Sequence, residues 1–391
     1  MSDVSRRGFI GSAAFAAGLA GAGVGGTSRG DDPGAATGAE PAPAPFTYAL
    51  ERQEPVAVGG NSARAATVAH LPGARGLAGS SLRLEPGGRR DLHWHPDAGE
   101  WAFVVAGHVR ATVVDPSGDR EVVDCGPGDV WYVPRGHGHG LHGLGPGTAH
   151  CVLIFDDGQA AELGAPAPAD WLGGAARALA ARGLGLPESA LAGAGGGGPG
   201  LATGPVPPRE PAPPLHGALR PGPHAHRYAL LAAPPDFDGD GGREWRLDRA
   251  RFPIAPARAG VVLDLEPGAL RELHWHPDAD EWQYVVAGRV AETVVGAGGR
   301  SRTATLDPGD VGHVPRGHAH AIENVGDAPA RLLLGFNAGR YEAVDLSAWL
   351  AGNPADALGA GLGLPAEVVA RVPRDRVVIA PARRPGGGGV A

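Results

Sequence analysis

Leu92-His93-Trp94-His95-Pro96-Asp97-Ala98-Gly99-Glu100-Trp101 returns, at an offset of 181 (His93 to His274), as Leu273-His274-Trp275-His276-Pro277-Asp278-Ala279-Asp280-Glu281-Trp282. Such internal repetition is the signature of a duplicated structural unit. The match extends outward without a gap. It begins at Leu82-Arg83-Leu84-Glu85-Pro86-Gly87 against Leu263-Asp264-Leu265-Glu266-Pro267-Gly268. It ends at Pro134-Arg135-Gly136-His137-Gly138-His139 against Pro315-Arg316-Gly317-His318-Ala319-His320. Further on the offset falls to 178 (Trp171 to Trp349), so the first copy carries three extra residues between Phe155 and Trp171. An insertion beside a repeated scaffold marks a place where the two copies differ in function.

Two histidines separated by one residue on a strand aim their imidazoles to one face. Glu100 follows His95 across a proline-containing turn and opens the next strand, and His139 arrives after Gly128 and Pro134. Three neutral imidazoles and one carboxylate suit a divalent first-row metal ion. On an octahedral ion they leave two positions for other molecules. The candidate ligands are therefore His93, His95, Glu100 and His139 in the first copy and His274, His276, Glu281 and His320 in the second. His137 and His318 precede the last ligands by two and are read as supporting groups. Trp94 and Trp275 lie between ligating histidines, point away from the metal and pack beneath it.

The remaining signals in each copy are β. Short apolar runs such as Trp101–Ala106, Val109–Val114 and Val152–Phe155 are bounded by Gly, Pro and Asp turns. Pro116-Ser117-Gly118-Asp119 reads as a hairpin turn. The expected fold is all-β, two tandem jelly-roll barrels. Short peripheral helices are predicted over Trp171–Arg182 and Ser347–Leu358. The barrels are assigned to 46–190 and 226–371, with a Gly/Pro-rich linker at 191–225 and a tail at 372–391.

Ser5-Arg6-Arg7-Gly8-Phe9-Ile10 before a mildly apolar Ala/Gly run resembles a twin-arginine export signal. Residues 1–45 are therefore set apart from the fold as a signal and a Pro/Ala-rich segment, and the protein is expected to be periplasmic or secreted. The run Gly11–Gly26 is too short and glycine-rich to span a bilayer, so no membrane span is expected after signal removal. A net charge of −8 argues against general nucleic-acid binding, which needs a basic surface. Lysine is absent, and the Ala/Gly/Arg bias reflects a GC-rich coding sequence rather than function. Cys125 and Cys151 are too few for a disulfide framework; they pair in an oxidising compartment or serve as small buried side chains.

In each copy, Gly, His-x-His, Glu and Gly recur at matched spacing (Gly87, His93, His95, Glu100, Gly107), followed by Gly128, Pro134, Gly136 and His139. These two motifs are the cupin signature, and the whole chain resembles a bicupin, more narrowly the oxalate decarboxylase family. Arg90, Arg271, Glu281-Trp282-Gln283-Tyr284, Gly309-Asp310-Val311-Gly312 and Phe155-Asp156-Asp157-Gly158 leading to Asp170-Trp171-Leu172 carry the closer likeness.

The resemblance implies one manganese ion per barrel, dioxygen as catalytic co-substrate, and oxalate as the small-molecule substrate. It implies that the arginine three residues before the first histidine, Arg90 in the first barrel and Arg271 in the second, holds the anion. A guanidinium fork gives directional, charge-assisted bonds to a small dianion. It further implies a mobile lid whose glutamate, here Glu162, supplies the proton that completes formate after carbon dioxide is lost. The family's lid reads Ser-Glu-Asn-Ser-Thr; this chain has Ala161-Glu162-Leu163-Gly164-Ala165. Leu334 stands where the family often has a second-barrel carboxylate. The chemistry is therefore expected in the first barrel, with the second mainly structural. By the same likeness the protein is a homo-oligomer, a trimer or hexamer. The nearest rival is an oxalate oxidase, which makes hydrogen peroxide and carbon dioxide. A cupin dioxygenase for a larger substrate fits Arg90 less well, and a non-catalytic metal-binding or storage bicupin fits eight retained ligands less well.

Overall fold

The computed structural model describes residues 44–195, 198–211 and 225–383. The twin-arginine stretch and the end of the tail lie outside the described residues. Among the described residues, no helix is long and apolar enough to cross a membrane.

Each half is a pair of facing antiparallel sheets, jelly-roll-like, rather than one closed sheet. In the first half, a seven-stranded sheet is centred on Glu100–Ala106, Ala149–Phe155 and Ala78–Leu84. It faces a five-stranded sheet built on Gly88–His93, Gly138–Gly143 and Val109–Val114. Alternating residues meet between them: Leu82, Val104, Val113, Leu141, Leu153 and Phe155 are all buried there. The period-2 pattern of the apolar runs puts these side chains on the inner face. The second half repeats the plan with Glu281–Ala287 and Ala330–Phe336 facing Leu270–Trp275 and Ala319–Asn324.

The halves share a third core. Trp101, Trp282, Tyr132, Tyr284, Leu50 and Leu230 belong to one buried cluster that bridges them. Its packing is reciprocal. A Cβ placed on Gly79 would lie 2.3 Å from the Trp282 ring, and one on Gly260 would lie 2.3 Å from the Trp101 ring. Glycine at both positions is what lets each indole lie against the other half's strand.

The segments leading into the halves cross over. Thr47–Tyr48, before the first half, pairs with Val311–Val314 of the second. Arg227–Ala229, before the second half, pairs with Asp129–Val133 of the first. Each sheet edge is thereby covered by the other half's leader.

Two segments that composition assigns to linker and tail are strands. Leu201–Thr203 pairs with the strand carrying Arg90, and Ile379–Ala380 pairs with the strand carrying Arg271. The carbonyls of Pro208 and Arg209 also accept from Arg110 at 2.6 and 2.8 Å. The expected peripheral helices are present but broken: Pro168–Gly173 and Arg177–Leu184 after the first half, Leu346–Ala351 and Ala355–Leu362 after the second. Gly174 interrupts one pair and Asn353-Pro354 the other. Cys125 and Cys151 are buried and unlinked.

Candidate metal centres

The first centre lies between the two sheets. His93 ends its strand and stands directly opposite His139 on the neighbouring one. The chain then turns through Pro96-Asp97-Ala98-Gly99, where the Gly99 N–H donates to Asp156 at 2.7 Å. The turn sets His95 and Glu100 on facing sides of the cavity. One ligating atom from each of His93, His95, Glu100 and His139 falls within 4.8 Å of the others, and all four residues are buried. Glu100 Oε2 lies 3.2 Å from His95 Nε2 and 3.0 Å from His139 Nε2.

The second centre repeats this. His274 stands opposite His320, and Glu281 Oε2 lies 2.9 Å from His276 Nε2 and 3.1 Å from His320 Nε2. His274, His276, Glu281 and His320 converge within the same 4.8 Å limit.

The donor chemistry fits a divalent cation. Main-chain carbonyls lie beside the Nδ1 atoms of His93 (Asp91, 2.8 Å), His139 (His137, 3.1 Å), His274 (Glu272, 2.8 Å), His276 (Glu342, 2.6 Å) and His320 (His318, 3.3 Å). Such bonds fix the ring orientation and leave Nε2 as the inward donor. His93 Nε2 is buried with no hydrogen-bond partner among the described residues. His137 and His318 contribute two of these carbonyls through their main chain, and their side chains stay outside the centres.

Arg90 and Glu162 meet above the first centre. Arg90 Nε donates to Glu162 Oε1 at 3.0 Å, and Nη2 donates to the Glu162 carbonyl at 2.6 Å. Glu162 Oε1 lies 3.5 Å from His93 Nε2, and Oε2 lies 3.6 Å from His95 Nε2. The Glu162 N–H donates to Ser80 Oγ at 3.2 Å. Both side chains are buried. Cavities of about 220 and 150 Å³ flank the segment that carries Glu162. The first reaches His95 and Ala98, the second Arg64 and Ser80, and both touch Ala161 and Leu163.

Burial opposes ionisation of Glu162, but the imidazoles of His93 and His95 and the Arg90 guanidinium outweigh it. They hold the carboxyl well below the usual carboxylate range. Burial likewise lowers His93, to about 4. His95 is pushed up to about 9: burial works against its charge, and the carboxylates of Glu100 and Glu162 overcome that.

Arg271 is held differently. Its Nη1 donates to Asp345 at 2.7 Å and to the Val378 carbonyl at 3.1 Å, and its Nε lies 3.4 Å from Glu244. Asp345 belongs to the strand Val344–Asp345 and Glu244 to Gly242–Leu247, so both carboxylates sit on paired strands. Leu334 is buried, with Gln283 opposite it on the next strand.

The carboxylate ligands also rest on different supports. Glu100 Oε1 accepts from the Trp131 indole N–H at 2.8 Å. Glu281 Oε1 accepts from Gln283 Nε2 at 2.8 Å, and the same amide donates to Glu292 at 2.6 Å. Burial raises the Glu292 carboxyl well above its usual range, and the nearby Glu281 adds to this. Gln283, Glu292 and Gly312 replace Ala102, Ala111 and Trp131 of the first copy. A Cβ on Gly312 would lie 3.0 Å from both Gln283 and Glu292, so loss of the indole makes the room. These supports escaped the motif reading. The repeat alignment holds their signal: three interior positions change together.

The cupin family profile matches residues 48–179 and 228–370. The chain is 36% identical over 305 residues to the oxalate decarboxylase OxdC of Bacillus subtilis (strain 168), covering 78% of each chain. It is 33% identical over 319 residues to a probable oxalate decarboxylase of Arthroderma benhamiae, covering 81% of this chain and 78% of the other. A solved structure of the B. subtilis oxalate decarboxylase at pH 4.6 superposes with a TM-score of 0.81 at 31% identity, covering 88% of this chain and 89% of the other. Another, concerned with the Mn(II) centres of that enzyme, gives the same score and identity with 88% and 90% covered. With two cupin units, two centres of three histidines and a glutamate, and this likeness along most of its length, the chain belongs to the cupin family and, within it, to the two-barrel oxalate decarboxylases.

Proposed function

We propose that this protein is a manganese-dependent oxalate decarboxylase that converts oxalate to formate and carbon dioxide in its first barrel. The observation that carries this is the buried Arg90–Glu162 pair above His93, His95, Glu100 and His139. These four residues, and His274, His276, Glu281 and His320 in the second barrel, would each hold one manganese ion. Bound manganese supplies Lewis acidity and, with dioxygen as co-substrate, one-electron redox chemistry.

The chain's own residues do the rest. Arg90 presents a planar fork to one carboxylate of the dianion and orients it. Glu162 enters the cycle ionised in the substrate-free site, where Arg90 Nε donates to its carboxylate at 3.0 Å. When Arg90 turns to the substrate, Glu162 loses a cationic partner and gains a dianionic neighbour. Both changes raise its pKa, so it takes up a proton. Breaking the oxalate carbon–carbon bond releases carbon dioxide, and the remaining carboxylate carbon receives that proton as formate. Overall, oxalate and one proton give formate and carbon dioxide without net redox change. Ala161 and Leu163 flank the acid with apolar side chains. Arg271, held by Asp345 and Glu244, has a supporting role, and the second barrel is mainly structural.

The lid segment favours a second reading to a lesser degree. Leu163, Gly164 and Ala165 offer no polar side chains to secure closure, and poor protonation would divert turnover to peroxide, as in an oxalate oxidase. Supplying oxalate and measuring both products separates the two. Formate equal to oxalate consumed is expected. Hydrogen peroxide in that proportion would overturn the decarboxylase reading.

Two wider properties belong to the same reading. Ser5–Ile10 serves as a twin-arginine export signal, placing the protein outside the cytoplasm. The protein works as a trimer or hexamer, a reading supported by large apolar side chains exposed on the helical segments of both halves: Trp171, Leu179 and Leu184, then Trp349, Leu362 and Val368.

A further inference from the structure

We infer that Gly200 is a positioning residue that lets Arg90 exchange the lid glutamate for the substrate anion; this rests on the oxalate reading above. Gly200 stands at the head of the returning strand Leu201–Thr203, which pairs with the strand carrying Arg90. Its φ is +80°, and a Cβ built there would lie 2.3 Å from Arg90 Nη1. Its carbonyl lies 3.4 Å from the same Nη1 and accepts the Asp91 N–H at 2.9 Å. Gly200 thus backs the guanidinium with main chain alone.

The second half shows the alternative. At the matching place (Gly200 to Val378, the offset of 178 that also relates Trp171 to Trp349) stands Val378 with φ +60°. It is the one non-glycine residue with positive φ among the described residues. A β-branched residue there is strained, and such strain persists only where its surroundings impose it. The surroundings do so. The Val378 side chain is buried in the second barrel's apolar cluster, and its N–H donates to Glu272 Oε1 at 2.8 Å. Glu272 in turn accepts from Ser347 N–H and Oγ, at 2.9 and 2.7 Å. The Val378 carbonyl accepts from Arg271 Nη1 at 3.1 Å and from the Glu272 N–H at 3.0 Å.

The two arginines differ in the same sense. Arg271 has carboxylate partners on paired strands, Asp345 and Glu244. The carboxylate partner of Arg90 is Glu162, on the segment that must move if substrate is to enter. An arginine that stays fixed is backed by a fastened, strained valine. An arginine that must change partners is backed by a residue with no side chain. A Cβ at 200 would press on Nη1 and hold the guanidinium off the position in which it meets an anion.

The test uses full-length, manganese-loaded protein carrying Gly200→Ala or Gly200→Asn. Asparagine tolerates positive φ while still carrying a Cβ, so it separates contact from backbone strain. Both variants are expected to keep two manganese ions per chain. Both should raise KM for oxalate tenfold or more with kcat changed less than threefold. Both should weaken oxalate binding by the same factor in calorimetric titration without dioxygen. Oxalate affinity unchanged in both variants, or lost in the alanine variant and restored in the asparagine variant, would overturn the role given to Gly200. Failure of the manganese-loaded parent protein to bind oxalate would instead overturn the oxalate reading itself.

Discussion

His95 faces Glu100 at 3.2 Å and Glu162 at 3.6 Å, and this crowding has a measurable consequence. With a pKa raised to about 9, its ring is protonated at neutral pH while no metal is bound. A metal ion needs the neutral ring, so loading the first barrel must expel that proton. His93, lowered to about 4, is already neutral and contributes none. The sign follows: manganese affinity of the first barrel rises by roughly tenfold per pH unit between pH 7 and 8, and levels off above about 9. Titrating manganese into metal-free protein in buffers of different ionisation enthalpy measures the released proton. Affinity independent of pH across that range would show His95 to be neutral beforehand.

At this scale the eight converging side chains were legible because their spacing repeats and imidazole–carboxylate sets have one dominant use. Arg90, Arg271 and Glu162 were legible through the family likeness, and the structure places Arg90 and Glu162 in contact. Asp345 and Glu244 were not: they lie far from the motifs in sequence, and only the fold brings them to Arg271. Gln283 stands two residues from Glu281, but its support role shows only in the structure, where its amide meets both Glu281 and Glu292.

Among the elements, the segment Ala161–Ala165, held at Glu162 by Arg90 and Ser80, would carry the proton in the proposed reaction. Its one acidic side chain reaches between Arg90 and the histidines, while its neighbours add apolar surface. Glu162→Gln keeps the size of the side chain and an oxygen for Arg90, and removes the transferable proton. Formate production should fall by about 10²- to 10⁴-fold, the usual contribution of a positioned acid, with manganese content unchanged. A rate within tenfold of the parent would remove Glu162 from the proton transfer. The returning strands Leu201–Thr203 and Ile379–Ala380 were invisible at this scale for a physical reason. Each has at most three residues, set among Gly, Pro and Arg, and the partner strand rather than local propensity makes it extended. The peripheral helices were legible in place but not in continuity, because Gly174 and Pro354 break what the apolar pattern alone would join.

Across the whole molecule, duplication accounts for most of the architecture. The two-fold likeness appears in the reciprocal Gly79–Trp282 and Gly260–Trp101 contacts and in the exchanged leaders. It appears again on the outside, where Trp171 and Trp349 are 52% and 45% exposed at equivalent positions. Trp171 also lies against Trp94, ring centroids 4.9 Å apart, so the exposed patch reaches back toward the first centre. Two like patches on one chain suit a closed ring of copies. Protein recovered from outside the producing cell should lack roughly the first 15–30 residues, as signal cleavage implies, and should sediment as a trimer or hexamer. A stable monomer would sink the assembly reading, and an intact N-terminus retained in the cytoplasm would sink the export reading.

The exchanged leaders also bear on the order of synthesis. A ribosome releases the chain from its N-terminus, so the first barrel's strand Asp129–Val133 emerges long before Arg227–Ala229, the segment that covers its edge. Until then the nascent half carries bare backbone donors and acceptors there, open to pairing with another newborn chain. Thr47–Tyr48 waits longer still, because its partner at Val311–Val314 is among the last strands translated. Both sheet edges are therefore covered only after most of the chain that lies between leader and partner has been translated.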